Sequence, residues 1–365
     1  MARKVATVQR VAETRPIEGA DRIEVARVEG WDCVVGKGEF SPGEKVVYLE
    51  IDTFIPDGTP HLEDIRGSHR EMLAAGVPTH GTVLRTAQLR GVYSQGLLLK
   101  LATFGIAEDA PVGTDVSSRL GVCLYEPIVS GEDLLGDYDG RLAPKTDAVR
   151  IQNLTELWPL LVRVTSEASV KVDGTSVTLS ALPKDEDAAY GLRVLGHNNE
   201  LNPAMGLGAV MRDCAVRQGL ADLLLEHPEL TLQAELVGPK VNGNRLGLAG
   251  YQLLVFSVWN NHLGRAPRQK LSLRVQAKAQ PSIAASMVPQ LPMQLGDYAT
   301  PDELLAAVDG IKGNVTAGRY DEGVVFHITD TRELTPEESD ELERALGPNM
   351  EVKVISNKYL SKEKG

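Results

Sequence analysis

The stretch that decides the reading is Ser169-Val170-Lys171-Val172-Asp173-Gly174-Thr175-Ser176-Val177-Thr178-Leu179. Two β-rich runs flank a polar pair, so the segment reads as strand, tight turn and second strand. A four-residue K-x-D-G string arises by chance about 0.1 times in a chain of this length at average residue usage. Alone it fits two readings equally well. One is a β-hairpin with Asp173-Gly174 in the turn and Lys171 in solvent. The other is a lysine held at a strand end for chemistry.

On either side the chain divides by pattern. From Arg150 onward strands and helices alternate. LTLQAELVG (230–238), YQLLVFSVW (251–259), VVFHI (324–328) and MEVKVI (350–355) read as strands, and GAVMRDCAVRQGLADLLLEH (208–227) as helix. DELLAAVDGI (302–311) is a short helix. In LTPEESDELERAL, Thr335 caps a helix, Pro336 takes its first position and Glu338 completes a capping box. Upstream, RIEVARVEGWDCVVGK (22–37), KVVYLEIDTFIP (45–56) and GTVLRTAQLRGVYSQGLLLKL (81–101) are short strands broken by turn residues. Such spacing predicts a small closed or half-closed barrel, either an oligonucleotide-binding (OB) barrel or another small β-barrel or sandwich. The predicted fold class is α+β. An OB-like β-barrel over 1–120 precedes a mixed α/β domain over 151–365, with a Gly-, Asp- and Pro-rich linker at 121–150.

Composition narrows the class. At 365 residues the chain exceeds one usual core, and 42% hydrophobic with 24% charged residues is ordinary for a globular protein. No apolar run is long enough to span a bilayer, and MARKVATVQRVAE lacks the apolar stretch of a signal peptide. Cys33, Cys123 and Cys214 are far apart in sequence with no C-x-x-C pair, which opposes a zinc site or disulfide framework and fits a reducing cytoplasm. Net charge is −12. Any grip on nucleic acid must therefore be a local basic patch on an acidic body.

Four segments follow Lys171 in a fixed order: QAELVGPKVNGN around Glu235, VFSVWN around Phe256, DEGVVF around Glu322 and EVKVISNKYL around Lys353. With the K-x-D-G string, the series resembles motifs I, III, IIIa, IV and V of the covalent nucleotidyltransferases, the superfamily of polynucleotide ligases and capping enzymes. The flanks RIEVARVEGW, GEKVVYLEIDTFIP, LRGVYSQGLLL and KTDAVRIQNL extend the resemblance over nearly the whole chain. It is closest to ATP-dependent RNA ligases with an N-terminal OB domain, the Deinococcus and Naegleria branch. The second domain is then expected to be a nucleotidyltransferase (ATP-grasp-like ligase) domain.

The resemblance implies roles. Lys171 is the nucleophile that takes AMP from ATP. Asp173 and Glu322 help hold Mg²⁺ (or Mn²⁺), and Glu235 does so too or contacts the ribose. Phe256 stacks on the purine, or is simply core, since its strand is apolar. Lys353 contacts the α-phosphate. Arg150 and Gln152 fall where the family contacts the nucleotide, Gln152 as a reader of the adenine edge. Chemistry agrees with this assignment. A lysine attacks only when deprotonated, and neighbouring cations such as Lys353, Lys358 and a bound metal lower its pKa. Carboxylates position a hard, hydrated Mg²⁺, often through its waters. The implied partner is RNA or an RNA-containing duplex with 5′-phosphate and 3′-hydroxyl ends, sealed by a monomer with no membrane involved. With no large module expected after motif V, the OB domain and Arg85, Arg90 and Arg319 would help grip it.

The chain departs from the family in places. Val170 stands where glutamate is frequent, Gly196-His197-Asn198 replaces a Ser-Arg-Asn triplet, and Ile355 replaces a second motif V lysine, with Lys358 as substitute. A neutral histidine holds phosphate less well than arginine. HNNEL could instead cap the following helix, and GLGAV (206–210) is no dinucleotide fingerprint. His227 and His262 read as loop residues. Two alternatives stay open: another covalent nucleotidyltransferase (a DNA ligase or GTP-dependent capping enzyme), or a non-catalytic OB-type RNA-binding protein.

Overall fold

A computed structural model describes residues 3–65, 67–74, 77–126, 133–181, 191–261 and 269–361; His262 lies outside them. The described residues divide into two compact units. The first lies within Met1–Ile128, Gln152–Thr155 and Leu360–Gly365, the second within Val129–Ile151 and Glu156–Tyr359.

Among the described residues, the first unit holds a five-stranded antiparallel sheet, a four-stranded sheet and a two-stranded hairpin. In the five-stranded sheet Ala6–Pro16 lies between Lys45–Leu49 and Ile23–Val28, with Leu97–Lys100 and Trp31–Gly36 at the edges. Glu29 and Gly30 make the predicted turn between Ile23–Val28 and Trp31–Gly36, and Val28 pairs Trp31 across it. Alternate side chains point inward, so one core gathers Val8, Val47, Leu49 and Leu101 and another gathers Val11, Trp31, Phe40 and Tyr48. The short strands expected from the turn spacing are thus formed and pair in these sheets.

Among the described residues, the second unit is built on two sheets. One has seven antiparallel strands, with Thr175–Ala181, Leu230–Val237 and Gln252–Asn260 adjacent near one edge. The other has five strands, in the order Val149–Arg150, Glu351–Ile355, Gly323–Asp330, Thr165–Lys171 and Gln290–Leu291. The K-x-D-G string joins them. Lys171 ends its strand paired to Gly323, whereas Thr175 opens a strand of the other sheet, paired to Leu236. The hairpin reading is thereby overturned, because the flanking strands pair with different partners and not with each other. Gly174 makes the crossing possible: a Cβ there would lie 2.3 Å from the Leu236 carbonyl oxygen and 2.7 Å from Glu235 Cγ.

Three further expectations change. The stretch read as a linker supplies strands: Cys123–Leu124 pairs Thr53–Pro56, Leu134–Asp137 pairs Asn199–Leu201, and Val149–Arg150 runs parallel to Val352 and Lys353. Its Gly and Asp residues hid strands of two to four residues, too short to show a period. HNNEL caps nothing, since Asn199–Leu201 is a strand and the next helix starts after Met205 without a side-chain cap. The long helix expected at 208–227 is two helices, Gly206–Arg217 and Leu220–Glu226, separated at Gly219 with φ +70°. The capping box of the helix Pro336–Leu346 is formed as expected. That helix lengthens the connection between two neighbouring strands, buries Leu342 and Leu346, and is tied down by Arg163 on Glu338 at 2.7 Å.

Candidate active site

A cleft in the second unit is lined by side chains from both sheets, among them Lys171, Ser169, Glu235, Phe256, Val325 and Lys353. Each owes its place to strand alternation. Glu235 interrupts the otherwise buried strand Leu230–Val237, and Phe256 is half-buried in Gln252–Asn260. Phe256 therefore lines the cleft and is only partly buried. Gly323, paired to Lys171 on one side, lets its strand approach Glu351–Ile355 closely on the other: a Cβ there would sit 2.1 Å from the Val354 carbonyl oxygen.

The lysine end is crowded with carboxylates. Lys171 Nζ donates to Glu322 Oε2 at 2.6 Å. Burial pulls the amine's pKa down, but Glu322, Glu235 and Asp173 outweigh it and hold it above its ordinary value. Sequence reasoning asked for the opposite shift, and the cause of the difference is that anions, not cations, face this amine. Glu235 is pushed up to about 8, chiefly by burial, with the neighbouring carboxylates adding to it and Lys171 opposing. Asp173 is held by two donors, Asn242 Nδ2 at 2.7 Å on one oxygen and the Tyr359 hydroxyl on the other.

At the other end of the cleft lie His327 and Glu351, joined through Lys270. Sequence reasoning missed both, along with Ser169, Val325 and Tyr359. A usable signal existed: Ser169 and Glu351 stand two residues before Lys171 and Lys353, and Val325 and His327 stand two and four after Gly323, so strand period two carries them to the same faces.

Not every expected residue joins the cleft lining. Lys358 is half-exposed on the helix Asn357–Ser361, with Nζ 3.7 Å from Asp309, and is not a lining residue. The substitution of Lys358 for the residue at Ile355 is thus not supported: Ile355 is buried beside Gly323, and Lys358 follows a turn that sends it to Asp309. Arg150 is buried beside Lys353 in the parallel strand pair. Gln152 belongs to the first unit, where its carbonyl accepts from Gly30 N–H. Of the proposed basic grip, Arg85 is already paired with Asp52 at 2.6 Å, while Arg90 and Arg319 are exposed. His197 stands 3.8 Å from Asp147, and His227 3.4 Å from Glu229.

Residues 5–101 match an OB-fold domain model. An apo variant of Naegleria gruberi RNA ligase superposes with a TM-score of 0.78 at 31% identity, covering 100% of this chain and 99% of that one. The chain belongs to the RNA ligase family. Two further structures of the Naegleria RNA ligase are similar to it. A variant with ATP and Mn gives a TM-score of 0.76 at 30% identity, covering 100% of this chain and 98% of that one. A variant with AMP and Mn gives 0.77 at 30%, covering 99% of each. No curated protein matches the chain. No helix among the described residues of this RNA ligase is long and apolar enough to cross a membrane.

Proposed function

We propose that this RNA ligase seals a 5′-phosphate to a 3′-hydroxyl in three steps, with Lys171 as the covalent carrier of AMP. Lys171 Nζ attacks the α-phosphate of ATP, forming the N–P bond as pyrophosphate leaves. The AMP passes from lysine to the 5′-phosphate of the nucleic acid, forming a P–O–P link and freeing Lys171. The 3′-hydroxyl then attacks that activated phosphate, forming the phosphodiester and releasing AMP. The observation that carries this reading is a partly buried amine at a strand end, 2.6 Å from Glu322, in a cleft that also holds Phe256 and Lys353.

The chain's own groups account for much of the first step. Phe256 and Val325, from opposite sheets, offer apolar surfaces for a base. Lys353 supplies positive charge for the α-phosphate, where charge develops in the transition state. Glu322, Glu235 and Asp173 outnumber Lys171 three to one, so this donor set fits a cation. Among the described residues no three His, Cys, Asp or Glu side chains are close enough to hold a metal directly. These carboxylates would hold Mg²⁺ or Mn²⁺ by accepting from its waters. When bound, such a cation cancels the carboxylates' hold on the Lys171 proton and offsets charge on the phosphates.

RNA or an RNA-containing duplex is the substrate in this reading, and the reaction belongs in the reducing cytoplasm. The three cysteines are free, and Cys33 and Cys214 are buried. The test is incubation with α-labelled ATP and magnesium, followed by mapping of the label. An acid-labile, alkali-stable phosphoramidate on Lys171 is expected. Label from GTP but not ATP would point to a capping enzyme, and absence of label to a non-catalytic protein.

A further inference from the structure

We propose that His327 and Glu351 recognise the 6-amino edge of adenine, His327 as donor to a ring nitrogen and Glu351 as acceptor from the amine. This deepens the ligase reading and rests on it.

The five-stranded sheet places three rows of paired residues across its middle strands. Lys171 pairs Gly323, which pairs Ile355; Ser169 pairs Val325, which pairs Lys353; Glu167 pairs His327, which pairs Glu351. Successive rows are two residues apart, roughly 6.6 Å along a strand. A nucleotide with its α-phosphate at Lys171 and Lys353, and its base between Phe256 and Val325, extends its far edge toward the third row. His327 and Glu351 line the cleft there.

Their hydrogen-bonding roles are fixed by Lys270. Its ammonium lies 3.0 Å from His327 Nδ1, 2.7 Å from Glu351 Oε1 and 2.9 Å from the Asn349 carbonyl oxygen. An ammonium has three donors and no acceptor, so His327 Nδ1 must accept. The imidazole is therefore neutral with its proton on Nε2, and burial agrees by pulling its pKa down to about 4. Glu351, salt-bridged and 7% exposed, is an acceptor. The third row thus presents one donor and one acceptor side by side. Adenine offers the complement in its 6-amine and adjacent ring nitrogen, whereas guanine puts a carbonyl oxygen where the amine stands. A buried Lys–Glu–His cluster is weak as a source of stability, and the phosphate chemistry leaves it without a task. A recognition role accounts for it.

The test compares Lys171 labelling by ATP and by purine riboside 5′-triphosphate, which lacks only the 6-amine. Wild type should favour ATP by about tenfold or more in kcat/KM, since removing a hydrogen-bonded group leaves its partner unpaired. Glu351→Ala should bring the ratio near one by losing rate on ATP alone, and His327→Phe should lower both rates while keeping the preference. Wild type labelling both triphosphates equally overturns the proposal without any variant, so a poorly folding variant cannot shield it. Glu351→Ala retaining the tenfold preference also overturns it, while the ligase reading stands. Absence of any Lys171 label with ATP would remove the ligase reading and this one together.

Discussion

The Tyr359 hydroxyl donates to Asp173, linking the last described helix to the turn that carries the lysine. Arg245 lies over the Tyr359 ring at 3.6 Å and donates to the Tyr359 carbonyl at 2.8 Å. Asp173 is thus oriented from outside its own turn. Burial and Asp173 both raise the phenol's pKa, so Tyr359 stays a donor at any working pH.

Tyr359→Phe keeps the ring beneath Arg245 and removes only that hydrogen bond. A carboxylate losing a buried donor costs about 1–3 kcal/mol, so the melting temperature should fall by several degrees. Labelling of Lys171 should slow about tenfold, and the magnesium concentration for half-maximal labelling should rise. Unchanged magnesium dependence would show that Asp173 needs no such orientation.

Lys171→Ala should abolish labelling with ATP, since no other amine lies at the end of this strand among the carboxylates. The variant should still join a substrate whose 5′ end is already adenylylated, because the last step uses no lysine nucleophile. Wild-type label on Lys171→Ala, measured after denaturing separation, would refute the assignment.

Glu235→Ala and Glu322→Ala should each slow labelling by on the order of a hundredfold. The backbone pairing of Glu235 and the Glu322 carbonyl bond from Ser356 N–H are untouched, so circular dichroism should match wild type. Near-normal labelling in both would make the carboxylates structural.

Much of this was legible in sequence, for identifiable reasons. Lys171, Glu235, Phe256 and Lys353 sit in ordered motifs, and each strand's β-rich run marks it locally. What was not legible depends on pairing. That Thr165–Lys171 and Thr175–Ala181 enter different sheets is set by Gly323 and Leu236, more than sixty residues away. The rise in the Lys171 pKa was likewise hidden, because two of its three carboxylates, Glu322 and Glu235, come from distant segments. Lys358 failed as a substitute because spacing along the chain does not tell where a side chain turns after a strand ends.

His327 gives the stability of the fold a pH dependence with a definite sign. Its pKa is lowered from 6.5 to about 4, first by burial and then by Lys270, with Glu351 opposing. Between those values the unfolded chain binds a proton that the folded one does not. Stability from this group is therefore present above about pH 6.5 and lost as pH falls to about 4, up to on the order of 3 kcal/mol. His327→Phe should flatten the decline in melting temperature over that window. An identical decline in both proteins would place the acid sensitivity elsewhere.

Salt should separate the grip on nucleic acid from the reaction with ATP. With a net charge of −12, binding rests on few local cation–phosphate contacts, and Arg85 is already engaged with Asp52. Strand joining should weaken as salt rises, with a shallow slope that reflects those few contacts. Labelling by ATP, inside a partly closed cleft, should change less over the same range. Substrates that differ only in ribose or deoxyribose at the 3′-hydroxyl end then test the polymer, because the 2′-hydroxyl is all that separates them there. A nick with ribonucleotides on its 3′-hydroxyl side should be sealed at least tenfold faster than an all-DNA nick, measured under single-turnover conditions with pre-adenylylated ends. Equal rates would mean that the 3′-hydroxyl strand is not read as RNA, however the lysine is adenylylated.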